Sequence, residues 1–244
     1  MKRILTLLGT VLLCLTSIIL PAKAATIASG TCGDSLTWTL ADTGTLTISG
    51  TGEMYDFYYD NGVWTNPWMS YAGDIKKVLI KQGVTGIGEW AFGYCRNLFS
   101  ITLPESVTSI GDRAFYDCSS LISITLLEGV MSIGEDAFYN CSSLTSIILP
   151  ESLTSIGDWA FYNCSTLTSI TIPEGVAFPD IKDALNLFGD DRQSHRAAGD
   201  FLYLTAKQKG DLDSREQIKA KREVDNVVDG HYDYQQKRGF SIRR

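Results

Sequence analysis

The chain has 244 residues, 44% of them hydrophobic, and a formal net charge of −7. That length allows one or two domains. The acidic balance deepens to −11 over residues 25–177 and excludes nucleic-acid binding through a basic surface.

Lys2 and Arg3 precede an apolar run over residues 4–20, and Ala22-Lys23-Ala24 supplies a small-x-small cleavage site, so residues 1–24 read as a signal peptide. No second apolar stretch of spanning length follows. The mature protein is therefore expected outside the cell, secreted or held at the cell surface, with no stable membrane insertion.

Residues 25–74 read as an N-terminal β and aromatic cap. Leu36, Trp38 and Leu40 alternate with threonines, as do Leu46 and Ile48 beyond an Asp42-Thr43-Gly44 turn, which is the pattern of a hairpin. Between residues 53 and 74 come seven aromatics: Tyr55, Phe57, Tyr58, Tyr59, Trp64, Trp68 and Tyr71. Such a cluster closes the end of a small core, with Trp68 and Met54 as its anchors, or offers rings to sugar faces. The plug is the preferred reading.

From Ile75 the same sentence recurs at a fixed period. Copies begin at Ile75, Leu98, Leu121 and Leu144, and a truncated fifth begins at Leu167. A fixed period of this size marks a solenoid whose coils stack with equivalent residues above one another. In the second copy the apolar positions are Leu98, Ile101, Leu103, Val107, Ile110, Ala114, Phe115 and Cys118. Alternation around Ile101 predicts a short strand, and residues 107–110 predict a second extended piece ended by Gly111. Asp112-Arg113-Ala114-Phe115 reads as a tight helical turn capped by Asp112. The expected fold is a β-rich repeat solenoid of 23-residue coils with short parallel strands and tight helical turns over residues 75–177.

The signature L-x-x-I-x-L-P-x-x-V-T-x-I-G-x-x-A-F-x-x-C stands most completely over residues 98–118 and 144–164. It resembles the BspA-like leucine-rich repeat family of bacterial cell-surface proteins. The resemblance covers residues 75–176, and extends more loosely to the CGDSLTWTL, GTLTISGTGEM and PWMSY segments upstream. It departs at Leu127, which stands where the second, fourth and fifth copies carry proline, and after Val176, where Ala177-Phe178-Pro179 replaces the expected T-x-I-G. The resemblance implies an exported adhesion-type protein that meets host or matrix proteins or glycans, with no enzyme activity and no cofactor.

Residues 178–244 change character, with 13 Lys/Arg and 12 Asp/Glu. They read as a charged tail of short helices or disorder. Its His195 and His231 are the chain's only histidines, and neither has partners at catalytic or metal-ligand spacing. Glu105, Glu128, Glu151 and Glu174 recur at one turn. They suit solvated turn positions better than a calcium row, since stacked like charges repel.

Two rows of side chains are candidates for contact. Tyr116, Tyr139 and Tyr162 form a column flanked by Trp90 and Trp159, and Phe99 and Ile122 lie beside the strand-face serines. The tyrosines either form a contact strip or simply lie over the next coil. Cys95, Cys118, Cys141 and Cys164 also recur at the period. Equivalent Cβ atoms on stacked coils point the same way, so free buried thiols are expected, with Cys32 reduced as well. The leading functional expectation is a non-enzymatic binding module; the alternative is a structural spacer with no ligand of its own.

Overall fold

A computed structural model describes residues 24–167, 170–173, 175 and 176. Residues 1–23 of the expected signal peptide, and the charged tail expected over residues 178–244, lie outside the described residues.

The chain opens with β1 (Thr26–Gly33), β2 (Leu36–Ala41) and β3 (Thr45–Gly50). The expected hairpin is β2 against β3, antiparallel in regular register, with Trp38 opposite Ile48. Its turn closes through the Gly44 N–H donating to the Ala41 carbonyl, at a Gly44 φ of 81°. Strand β1 pairs with β2 on the far side, which the sequence reading did not anticipate.

Short strands follow: β4 (Gly52–Glu53), β5 (Tyr59–Asp60), β6 (Val63–Trp64), β7 (Lys77–Ile80) and β8 (Val84–Ile87). Each later coil then supplies one strand to each of two sides. These are β9 (Ser100–Thr102) and β10 (Ser109–Ile110), β11 (Ser123–Thr125) and β12 (Ser132–Ile133), then β13 (Ser146–Ile148) and β14 (Ser155–Ile156). One sheet runs β1-β2-β3-β7-β9, and a second runs β4-β8-β10-β12-β14. Strand β11 pairs with β13, and β5 with β6.

Strand pairing between repeats joins residues that stand one full period apart, as in Val78 with Ile101, Ile110 with Ile133 and Ile124 with Ile147. Equivalent residues therefore stand above one another, which carries the sequence period directly into the core. Leu98, Leu121 and Leu144 form one buried column, and Phe92, Phe115, Phe138 and Phe161 form another. Neighbouring Phe rings in that column lie 5.2–5.6 Å apart and within 19° of parallel.

The third side of each coil corrects the sequence reading, for no helical turn forms there. Trp90 and Tyr94 in one coil, then Arg113 and Asp117, Asp136 and Asn140, and Trp159 and Asn163 all adopt left-handed φ of 54–62°. Two such residues in each short turn prevent a helix and instead aim amides at the next coil. The N–H groups of Arg113, Phe115 and Asp117 donate to the carbonyls of Glu135, Ala137 and Tyr139 at 2.7–2.8 Å. The same triplet recurs from 90, 92 and 94 to the second coil, and from 136, 138 and 140 to the fourth. Asp112 does not cap its own turn; its Oδ1 accepts the Glu135 N–H at 2.8 Å, on the next coil. Close approach on this side requires Gly134, where a Cβ would meet the Asp112 nitrogen at 2.5 Å.

The N-terminal region follows the same path with a longer connection. Leu46 pairs with Val78 in parallel, a separation greater than one repeat. The extra length holds the aromatic segment. Trp68 is fully buried, stacks on Phe92 at 5.8 Å, meets Trp38 and Phe57 edge-on, and donates Nε1–H to the Ala91 carbonyl at 2.8 Å. Residues 69–75 form a partial coil. The Ala72 N–H donates to the Met69 carbonyl, repeating one period earlier the bond from Cys95 to Phe92. The single helical element among the described residues is the 3-10 turn Met69–Tyr71.

Candidate functional site

On the turn side, Tyr116, Tyr139 and Tyr162 stack in a ladder. Their ring centroids lie 4.7 and 4.5 Å apart, and the planes differ by 5° and 2°. The ladder continues toward the N-terminus through Trp90 and Tyr94 to Trp64 and Tyr59, each step within 5.7 Å. Tyr59, Trp64 and Tyr94 thus join a row that the sequence showed only from Trp90 onward. Their signal was the aromatic density of residues 53–74, but the longer connection there hides their alignment with the later copies.

The stacking determines what this row can do. Flat faces between successive tyrosines are covered by one another, so Tyr116 and Tyr139 present edges and phenol groups outward. Burial pushes the Tyr139 phenol up to about 12, with its tyrosine neighbours adding to the effect, so it stays a neutral hydrogen-bonding group. Trp159 is 42% exposed in the neighbouring column. Of the aromatics between 53 and 74, Phe57 and Trp68 are buried with Met54, whereas Tyr55, Tyr58 and Tyr59 face solvent. The Tyr55 hydroxyl donates to Asp34 at 2.8 Å.

Beside the tyrosines lies an ionic cluster. Arg113 contacts Glu135 at 2.9 Å, Asp136 at 3.2 Å and Glu89 at 3.4 Å, and its guanidinium sits 5.7 Å over the Trp90 ring. Asp136 is buried, and one of its oxygens, Oδ1, has no hydrogen-bond partner among the described residues. Desolvation raises the Asp136 carboxyl above its usual range, against the pull of Arg113.

On the strand side, Phe99, Ile122 and Ile148 are 39%, 52% and 60% exposed. Ser100, Thr102, Ser123 and Thr125 carry the hydroxyls of the same side. Here the ladder is interrupted: β7 pairs with β9 and β11 with β13, but β9 and β11 are not hydrogen-bonded neighbours. A cleft of about 320 Å³ occupies the break, lined by residues 100–103, Ser123, Ile124, Thr125 and Leu127.

The five cysteines among the described residues, Cys32 and the four ladder positions, are free and buried, as the stacking argument predicts. The Sγ–H groups of Cys118, Cys141 and Cys164 donate to the carbonyls of Phe92, Phe115 and Phe138 at 3.1–3.2 Å. Each thiol thus points at the backbone of the preceding coil rather than at a neighbouring sulfur. Burial pushes Cys95 and Cys164 up to about 12, which makes them core residues and poor nucleophiles.

Glu105, Glu128 and Glu151 are exposed at their turns, and Glu174 lies outside the described residues. Among the described residues no cluster of His, Cys, Asp and Glu has metal-binding geometry, and no helix is long and apolar enough to cross a membrane.

Residues 69–183 match, in six copies, the family described as BspA type Leucine rich repeat region. The first copy begins at the partial coil around Met69. A leucine-rich repeat protein from Eubacterium ventriosum is 32% identical, with a TM-score of 0.47, over 61% of this chain and 45% of that one. The T. pallidum Leucine Rich Repeat protein is 27% identical, with a TM-score of 0.45, over 57% and 69%. A leucine rich cell surface protein from Faecalibacterium prausnitzii is 23% identical, with a TM-score of 0.30, over 59% and 54%. The chain thus spans less than half the length of the Eubacterium protein. No curated protein matches it.

Proposed function

The chain carries a BspA-type leucine-rich repeat region over residues 69–183, and from that premise we propose that it is an exported, non-enzymatic binding module. Residues 1–24 direct export, residues 25–74 cap the solenoid, and residues 75–177 present it to host or matrix proteins or glycans. The cap rests on Trp68, which extends the Phe column, and on β3, which extends the strand ladder.

The observation that carries this reading is the exposure of Phe99, Ile122 and Ile148 on the strand side. The core columns are complete without them, and large apolar side chains grouped on one face of a solvated, acidic solenoid suit contact with a partner. The outward tyrosine edges of Tyr116, Tyr139 and Tyr162, with Trp90 and Trp159, offer a second contact strip on the turn side of the coils.

The mature protein, probed on an array of matrix proteins and glycans, is expected to capture at least one class. Phe99→Ala with Ile122→Ser is expected to reduce that signal at unchanged melting temperature. Capture of nothing would favour the spacer alternative, in which the repeats have no ligand of their own.

A further inference from the structure

The cleft between β9 and β11 is where the repeat pattern and the sheet both break. Leu127, the one residue that replaces the repeat's proline in the complete later copies, lies in its lining. Ile101 is only half-buried, whereas its counterparts Ile124 and Ile147 are 3% and 6% exposed. The opening is confined to this side. On the second side Ser109 and Ile110 pair with Ser132 and Ile133, and on the third Arg113, Phe115 and Asp117 bond to the next coil. The same two coils are therefore closed on two sides and parted on one.

That geometry limits the occupant. An inserted strand would need the coils to separate by a further rung, about 4.8 Å, which the two closed ladders prevent. The volume falls at the lower end of small-molecule sites, roughly 300–1,000 Å³. Ser100, Thr102, Ser123 and Thr125 bring four hydroxyls to the lining, able to donate or accept, and Ile101, Leu103, Ile124 and Leu127 form its apolar part. No lining residue is charged, so an ionic ligand would find no counter-charge. Phe99 and Ile122, each one residue before a lining serine, are exposed apolar side chains. Hydroxyl partners over an apolar floor match the chemistry of a sugar ring with its polar edge and apolar C–H faces.

We propose that this cleft binds one neutral sugar unit of a glycan, with the Ser and Thr hydroxyls on its edge and the apolar floor of Ile101, Ile124 and Leu127 against a C–H face. The proposal rests on the binding-module reading and names its ligand class.

The test is titration of the isotope-labelled mature chain with methyl mannoside, methyl galactoside, lactose and cellobiose, read by amide chemical shifts, with sialyllactose as an anionic comparator. The expected result is saturable shifts confined to residues 99–103 and 122–127 for at least one neutral sugar. Thr102→Val with Ser123→Leu, which fills the cleft, is expected to weaken binding more than tenfold. Ser100→Ala, mild enough to leave folding intact, is expected to weaken it about fivefold, the size of one lost hydrogen bond. Ser155→Ala, exposed on the second strand side and outside both contact surfaces, is expected to leave it unchanged. Shifts elsewhere, full binding by the filled variant, or no shift with any sugar would overturn the assignment. If no sugar shifts the cleft amides but the array captures matrix proteins, the cleft proposal fails and the binding module stands. If both are silent, both fail.

Discussion

Ser152 and Gly129 lock the turns of two successive coils together: the Gly129 N–H donates to the Ser152 hydroxyl at 3.0 Å, and that hydroxyl donates to the Val130 carbonyl at 2.8 Å. Ser106 does the same for Gly83 and Val84. Glycine and serine alternate at this position along the repeats, so the coils join in pairs. Gly129 has φ of 117°, a conformation that a side chain strains. Ser152→Ala is expected to cost about 1 kcal/mol through the orphaned Gly129 amide. Gly83→Ala should cost more than Gly129→Ala, because a Cβ at 83 would meet the Gly50 carbonyl oxygen at 2.5 Å, against 3.2 Å to Glu105 for Gly129. Urea denaturation of the three variants checks the order.

Trp68 joins the aromatic segment to the first complete coil. Trp68→Ala is expected to lower stability by about 3–5 kcal/mol, the range for truncating a buried aromatic. Trp68→Phe keeps the stack on Phe92 but removes the Nε1 donor to Ala91, which Asn66 also reaches at 2.6 Å. Its loss should therefore be much smaller. Melting temperatures that did not separate the two variants would show that the segment is peripheral to the core.

Arg113 holds the buried Asp136 carboxylate in place. Arg113→Leu is expected to destabilise the fold by about 2 kcal/mol at neutral pH, less than a fully buried pair because the guanidinium is partly solvated. Burial already raises the Asp136 carboxyl, and loss of the arginine raises it further. A raised carboxyl contributes stability below its unfolded value and loses it as pH rises through the folded one. The deficit should shrink as pH falls through the carboxylate range, and Asp136→Asn should restore stability in the Arg113→Leu background. Denaturation midpoints against pH test both expectations.

The cysteine column gives the protein an alkaline limit. Cys95 and Cys164 are pushed up to about 12 by burial, and Cys118 and Cys141 move in the same direction. An unfolded thiol titrates near ~8.5. Their stabilising contribution is therefore complete below that value and is lost as pH rises toward the folded values. Denaturation midpoints are expected to hold from about pH 6 to 8 and fall above about pH 9. Replacing the four ladder cysteines with alanine should flatten that fall relative to the variant's own neutral-pH stability.

Much of this fold is legible in the repeat itself. The period sets the offset between paired strands, and the apolar positions of the second copy are the buried columns of the structure, Ile101 alone being half-buried. The turn side is not legible from propensity. Trp90, Arg113 and Asp136 are ordinary helix-compatible residues, and the ladder of bonds to the next coil holds them left-handed. The partial coil at Met69 escapes because its connection to the N-terminal strands is longer than one repeat. At the candidate surfaces, the sequence shows which residues recur but not which way they face. Whether Tyr116 and Tyr139 offer faces or edges depends on the coil spacing. Leu127 is visible as a departure, yet the parting of β9 from β11 beside it emerges only in the packed stack.

Thiol counting on the denatured, unreduced mature protein tests the in-register stacking of coils most directly. Cys118, Cys141 and Cys164 each donate to a Phe carbonyl of the preceding coil, so the account predicts that all five mature cysteines are free. A count of one or three would mean that neighbouring coils are cross-linked, and would contradict the rung geometry on which the rest depends.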